Sequence, residues 1–124
     1  MSDLLIIEDE RDILEMLDEL FEGYNTHLAS SHCSAIRHLS STTYRLVICD
    51  YQLFKDPCCE CRTGLDVFNF MKENNINTPF ILYSGASKIN LEKFNRGNFL
   101  GLIGKTDQDT LVKDSLKVLD SKAA

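Results

Sequence analysis

The sequence predicts an α/β fold in which strands and helices alternate from one end of the chain to the other. Three short, continuously apolar runs, residues 4–7, 46–49 and 80–83, have the pattern of strands that are buried on both faces. Between these runs, apolar residues recur at intervals of three and four, which is typical of amphipathic helices. Buried strands that are separated by helices form a parallel sheet covered on both sides.

The first half of the chain supplies two strand–helix pairs. Residues 4–7 are the first strand, and the helix after them ends near Gly23, with an apolar stripe at Ile13, Leu14, Leu17, Leu20 and Phe21. Residues 26–29 predict a weaker second strand. A short second helix follows, with apolar positions at Ala35, Ile36 and Leu39.

The second half supplies three more pairs. Residues 46–49 are the third strand, and the third helix has apolar positions at Leu65, Phe68 and Met71. Residues 80–83 are the fourth strand, followed by a short helix over residues 88–95. Residues 99–103 are the fifth strand, and the last helix has its stripe at Leu111, Val112, Leu116 and Leu119. Five such units predict a flavodoxin-like, doubly wound (βα)5 sheet with strand order 2-1-3-4-5, because a closed eight-unit barrel needs about 250 residues.

Length and charge narrow the function classes. The 124 residues suit a single domain, residues 1–124. Thirteen basic and nineteen acidic residues give a net charge of -6, and the absence of a Lys/Arg block argues against direct nucleic-acid binding. The apolar runs are far shorter than the roughly 20 residues of a membrane-spanning helix. The N-terminus has no basic signal-peptide region, so we expect a cytoplasmic protein.

The five cysteines are an odd number, which argues against a disulfide framework. Cys49 and Cys33 are predicted to be small buried apolar residues. Cys58, Cys59 and Cys61 lie in a loop insertion, residues 54–63, and the first and last of them have the C-x-x-C spacing of zinc or redox sites. A structural zinc site needs a second pair of ligands, which the sequence does not show. A solvated loop with reduced thiols is therefore the favoured interpretation.

Polar side chains follow four of the five predicted strands. Glu8 and Asp9 follow the first, Asp50 the third and Ser84 the fourth, and Lys105 lies beyond the fifth. The carboxyl ends of parallel strands meet at one edge of the sheet, where ligands bind. Crowded carboxylates repel one another, and Mg²⁺, which prefers oxygen ligands, would relieve that repulsion. A lysine and a serine suit a phosphoryl group, and an aspartate can accept it as a nucleophile.

Four segments at these strand ends, IIEDE, VICDYQL, ILYSGAS and GLIGKTD, resemble the signature segments of the response-regulator receiver domain of two-component signalling. The resemblance implies that Asp50 accepts a phosphoryl group from a sensor histidine kinase or a phosphotransfer protein. It implies that Ser84 and Lys105 bind this group. It also implies a magnesium site made by Glu8, Asp9, Asp50 and the backbone carbonyl of Gln52. Such a domain is not a conventional enzyme, although it assists its own phosphorylation and dephosphorylation.

The resemblance further implies a switch that acts through a surface around residues 87–120, toward a downstream protein partner or a second copy of the chain. No output domain is expected in this sequence. Three positions depart from the family pattern. Leu102 replaces an aromatic residue that changes rotamer, and Thr106 and Phe54 replace prolines. The loop after Asp50 is also longer than usual.

The substitution at Leu102 leaves open an alternative, a receiver-like interaction module that does not switch. Two other classes fit less well. A hydrolase that captures a phosphoryl group on Asp50 would need a general acid/base and a substrate cap, and neither is evident. A flavodoxin would need a glycine- and hydroxyl-rich phosphate loop after the first strand, where Glu8 and Asp9 would repel phosphate. Glu8 and Asp9, taken alone, could also be acids at a helix N-terminus.

Overall fold

A computed structural model describes residues 2–53, 62–86 and 88–121. One parallel sheet contains all five strands in the order β2-β1-β3-β4-β5, which confirms the predicted fold class and strand order. In chain order, the strands and α-helices of the described part are β1 (Ser2–Ile7), α1 (Arg11–Leu20), β2 (Thr26–Ala29), α2 (His32–Ser41), β3 (Tyr44–Cys49), α3 (Gly64–Glu73), β4 (Phe80–Tyr83), β5 (Phe99–Ile103) and α4 (Gln108–Leu119).

The sheet separates two hydrophobic cores. Alternate residues of β1 point to opposite faces, so Leu5 and Ile7 enter one core and Leu4 and Ile6 enter the other. The first core lies against α2 and α3, and the second against α1 and α4. Because both faces are covered, the central strands are buried along their length, as their continuous apolar runs predict. No helix in the described ranges is long and apolar enough to cross a membrane.

The connection between β4 and β5 differs from the expected helix over residues 88–95. Its described residues contain a single 3-10 turn, Leu91–Lys93, which the Asn90 side chain caps by accepting a hydrogen bond from the Glu92 amide. Asparagine favours such local turns over a continuing helix. Phe94 then anchors the connection, because its ring stacks on that of Phe99 with centroids 4.8 Å apart. In the part of the chain that the structure describes, no full helix covers this side of the sheet edge, and Leu91, Leu100 and Leu102 are exposed.

Two cysteines test the predictions made for them. Cys49 is fully buried and has a free thiol, as predicted, and burial raises its pKa well above the usual value. Cys33 is exposed on α2 and is disulfide-bonded, so its predicted role as a buried apolar residue is wrong. The buried residues of α2 are Ala35 and Leu39, and a residue two positions before Ala35 lies on the opposite side of a helix. The predictions for Cys58, Cys59 and Cys61, and that for Phe54, fall outside the described residues.

Candidate functional site

Strand register brings the acidic residues together. β1 and β3 are neighbours in the sheet, with Ile7 opposite Cys49, so the residues that follow these strands emerge side by side. The Asp50 amide continues this ladder by donating to the Ile7 carbonyl at 2.9 Å. Glu8 and Asp50 are both buried, at 1% and 5% exposure. Two carboxylates are thus held at the carboxyl edge of the sheet with little access to water.

Lys105 lies between these two carboxylates. Its ammonium nitrogen is 2.9 Å from Asp50 Oδ2, to which it donates a hydrogen bond, and 2.9 Å from Glu8 Oε1. The other oxygen of each carboxylate accepts from a backbone amide. Asp50 Oδ1 accepts from Tyr51 N at 2.7 Å, and Glu8 Oε2 from Glu10 N at 3.1 Å. The lysine therefore compensates part of a concentrated negative charge.

The acidic cluster fits a divalent cation. One carboxylate oxygen from each of Glu8, Asp9 and Asp50 can be chosen so that all three lie within 4.8 Å of one another. Glu8 Oε1 is buried, and its contact with the Lys105 ammonium lacks the alignment of a hydrogen bond. A buried carboxylate oxygen without a well-aligned donor is poorly compensated. A set of hard carboxylate oxygens is the ligand type that Mg²⁺ prefers, so this cluster is compatible with the predicted magnesium site.

The electrostatics of the cluster perturb two pKa values. The pKa of Glu8 is raised to about 8, mainly by burial and also by the negative charge of Asp50, although contacts with Lys105 and the Glu10 amide oppose the shift. Burial lowers the pKa of Lys105, but Glu8 and Asp50 outweigh this effect and raise it above the usual value. The lysine accordingly remains charged at neutral pH, whereas Glu8 holds a proton when no metal is bound.

A cavity of about 410 Å³ opens beside the cluster. It is lined by Asp50, Gln52, Ser84, Ala86, Lys88 and Lys105, among others. Ser84 is buried, and its hydroxyl oxygen accepts a hydrogen bond from the Ala86 amide at 3.2 Å. The cavity offers an acidic acceptor, a hydroxyl and two ammonium groups to a small anionic ligand.

The structure places the predicted side chains in two overlapping groups. Glu8, Asp9 and Asp50 form the acidic cluster, and Asp50, Ser84 and Lys105 border the cavity. Gln52 also lines the cavity, where its backbone pairs with Thr63 in an isolated antiparallel bridge. The metal-binding role of its carbonyl and the chemical roles of the other residues stay predictions.

Sequence reasoning missed two residues near the site. Lys88 lines the cavity, and its position a few residues after Ser84 was the available signal. Tyr83, the last residue of β4, donates a hydrogen bond from its hydroxyl to the backbone carbonyl of Lys105 at 2.9 Å. A buried strand residue gives no sign in the sequence that its hydroxyl reaches the loop after another strand.

A doubly wound sheet with an acidic cluster, a serine and a lysine at its carboxyl edge defines the receiver class of α/β domains. The family model of the response regulator receiver domain matches residues 4–114, and the chain belongs to this family. Receiver domains are phosphoacceptor signalling modules and not classical enzymes.

Solved structures agree with this assignment. The receiver domain of NtrX from Brucella abortus is 25% identical, with a TM-score of 0.79, and the match covers 97% of this chain and 100% of that one. A Francisella response regulator receiver domain has the same TM-score at 18% identity and covers 97% and 98% of the two chains. The response regulator TrrA from Thermotoga maritima, solved in complex with Mg²⁺-BeF, is 24% identical, with a TM-score of 0.76 and coverage of 96% and 99%. A comparison with curated proteins gives no match.

Proposed function

We propose that this receiver domain accepts a phosphoryl group on Asp50 from a phosphohistidine of a sensor histidine kinase or phosphotransfer protein. The observation that carries the proposal is the position of the Lys105 ammonium, 2.9 Å from Asp50 Oδ2 at the border of a cavity. An acceptor carboxylate, a cation for the transferred charge and space for a donor are thus in one place. The family to which the chain belongs supplies the chemistry that such a site performs.

The groups that border the cavity suit the transfer of a phosphoryl group to Asp50. A carboxylate oxygen of Asp50 forms a bond to phosphorus while the bond from phosphorus to the donor's imidazole nitrogen breaks, and the electron pair leaves with that nitrogen. The Lys105 ammonium already contacts Asp50 Oδ2. It can therefore contact the phosphoryl oxygens once the group is bonded to Asp50. The Ser84 hydroxyl can donate to another phosphoryl oxygen. These contacts stabilise charge in a loose transition state.

The acidic cluster would hold Mg²⁺ through Glu8, Asp9, Asp50 and the Gln52 backbone carbonyl. Bound Mg²⁺ would offset the negative charge of the phosphoryl group. The chain's own contribution is to fix the ligands. Glu8 and Asp50 follow neighbouring strands whose register is set by a continuous ladder, and both side chains are buried. The same site would support the loss of the phosphoryl group to water, which would end the signal.

Phosphorylation is proposed to shift a surface around residues 87–120 and so to control a downstream partner or the pairing of two copies of the chain. Ser84, which lines the cavity, begins the β4–β5 connection, and Lys105 follows β5, the strand to which this connection leads. One observation favours the second candidate, an interaction module that does not switch. Leu102 is 37% exposed and stands where the family has a rotating aromatic residue.

The proposal is tested by incubating the protein with acetyl phosphate and Mg²⁺ and measuring its intact mass. We expect an adduct of about 80 Da on the natural chain and none on Asp50→Asn, because an amide is not a nucleophile for phosphorus at neutral pH. The decay of the adduct after donor removal gives the phosphoryl lifetime. A natural chain that gains no mass would contradict phosphoryl acceptance and favour the interaction module.

A further inference from the structure

The loop that carries Lys105 connects β5 to α4. Asp107 stabilises its far end, because the Asp107 amide donates to the Gly104 carbonyl at 2.9 Å and its carboxylate caps α4 by accepting from the Thr110 amide at 3.2 Å. Lys105 itself lies between these contacts, with its side chain directed to Glu8 and Asp50. A long lysine side chain reaches a fixed target best when its own backbone is held.

Tyr83 supplies a contact to that backbone. It is the last residue of β4, it pairs in register with Ile103 of β5, and it is 1% exposed. Its ring belongs to the core that lies against α1 and α4. From there the hydroxyl donates to the Lys105 carbonyl at 2.9 Å. Burial raises the pKa of Tyr83, so the hydroxyl stays protonated and remains a donor at neutral pH.

The simpler explanation is that a buried tyrosine satisfies its hydroxyl with the nearest acceptor. Two features go beyond it. The acceptor belongs to the same residue whose ammonium contacts both buried carboxylates. Moreover, Tyr83 directly precedes Ser84, so one backbone segment carries the hydroxyl that borders the cavity and the hydroxyl that restrains the lysine. A phenylalanine would fill the same space without restraining the loop.

We propose that Tyr83 is a positioning residue for phosphoryl transfer, which holds the Lys105 backbone so that its ammonium reaches Asp50 and Glu8. The proposal rests on the proposed function for the part that concerns transfer. According to this proposal, Tyr83→Phe slows phosphorylation of Asp50 only through its effect on Lys105. Tyr44→Phe is the matched control, because Tyr44 is also buried, and its hydroxyl bonds His27 Nδ1 at 2.7 Å at the start of β3, away from the site.

The first experiment is hydrogen exchange on the unphosphorylated protein. We expect Tyr83→Phe to speed exchange of the amides of residues 104–107 by about threefold to tenfold, the effect of losing one hydrogen bond. Tyr44→Phe is expected to leave these amides unchanged. Equal exchange in Tyr83→Phe and the natural chain would overturn the proposal, whether or not the protein accepts a phosphoryl group.

The second experiment compares loading rates with acetyl phosphate and Mg²⁺ in two backgrounds. We expect Tyr83→Phe to slow loading about threefold to tenfold in the natural chain and to have no further effect in Lys105→Gln. The same loss in both backgrounds would show a general structural effect and overturn the positioning role. If Lys105→Gln is phosphorylated too slowly for its rate to be measured, the hydrogen-exchange experiment alone decides whether Tyr83 positions Lys105. Failure of the natural chain to load would instead refute the proposed function.

Discussion

Glu8 is the residue whose chemistry is furthest from ordinary. Its side chain is buried, it faces Asp50, and its pKa is raised to about 8 from the usual 4.5. Between these two pKa values, Glu8 holds a proton in the folded protein but has lost it in the unfolded chain. The contribution of Glu8 to the stability of the metal-free protein therefore falls as the pH rises from about 4.5 to about 8. A cation in the acidic cluster would remove this penalty by binding the ionised form.

This predicts that Mg²⁺ binding releases a proton. At pH 7 Glu8 is mostly protonated in the metal-free protein, and ligation requires the carboxylate, so about one proton should leave for each ion bound. Isothermal titration calorimetry in two buffers with different ionisation enthalpies measures this number. At pH 9 the release should become small, because most of Glu8 is then already ionised, and this serves as the internal control. Binding at pH 7 without proton release would contradict this prediction, because Glu8 would then be either already ionised or not a ligand of the metal.

At this scale the sequence predicted the acidic cluster well, because each acid directly follows an apolar strand and needs only the strand order to find its neighbours. Glu8 and Asp50 are adjacent because β1 and β3 are adjacent. Tyr83 and Lys88 could not be assigned in the same way. For Lys88 the sequence shows only that it lies near Ser84, and for Tyr83 it does not show where a buried hydroxyl points.

Helix α3 begins in close contact with the backbone at the end of the acceptor strand β3. Its first residue, Gly64, is buried, and a Cβ placed there would lie 2.6 Å from the Asp50 backbone oxygen and 3.3 Å from Cys49 Sγ. The Gly64 amide also donates to the Tyr51 carbonyl at 2.7 Å. Thr63 caps the same helix in a reciprocal box with Asp66. The start of α3 is thus fixed against the backbone of the phosphoacceptor candidate.

Gly64→Ala is expected to destabilise the protein by about 1 to 3 kcal/mol, since a backbone oxygen cannot move aside as a side chain can. This sign is opposite to helix propensity, which favours alanine over glycine. Urea unfolding at pH 7 measures the change. Gly97→Ala is the matched control, because a Cβ there meets nothing within 4 Å, and its effect should stay within about 0.5 kcal/mol. A neutral Gly64→Ala would mean that α3 can shift without cost.

Strands and helices were predictable where a strand is buried on both faces or where apolar residues recur with the period of a helix. The three central strands and the four α-helices follow from apolar patterns whose period matches their structure, whereas the edge strands β2 and β5 have weaker patterns. The β4–β5 connection was not predictable, because Ile89 and Phe94 allow a helix while Asn90 favours a local turn. The exposed face of α2 shows the same limit, since a two-residue offset decides whether Cys33 is buried.

At the scale of the whole molecule, the strands β4 and β5 lie between the cavity and the sheet edge at which Leu91, Leu100 and Leu102 are exposed. Ser84 follows β4 and borders the cavity, and the only secondary structure described between β4 and β5 is the 3-10 turn Leu91–Lys93. Segments with little secondary structure have the lowest local stability and respond most to a change at their ends. The leucines exposed along this edge form an apolar surface that a partner protein could bind. A change in the connection would alter this surface.

If Asp50 phosphorylation switches the molecule, hydrogen exchange of residues 88–98 should change on loading with acetyl phosphate and Mg²⁺. A phosphoryl group held by Ser84 would restrain the start of this connection, so we expect slower exchange there. Helix α1, which packs against the other face of the sheet, should show no change. Asp50→Asn under the same conditions controls for the donor and the metal. Loaded protein whose exchange equals that of unloaded protein over residues 88–98 would contradict the switch, and the exposed leucines around Leu102 would then belong to a surface that binds its partner in both states.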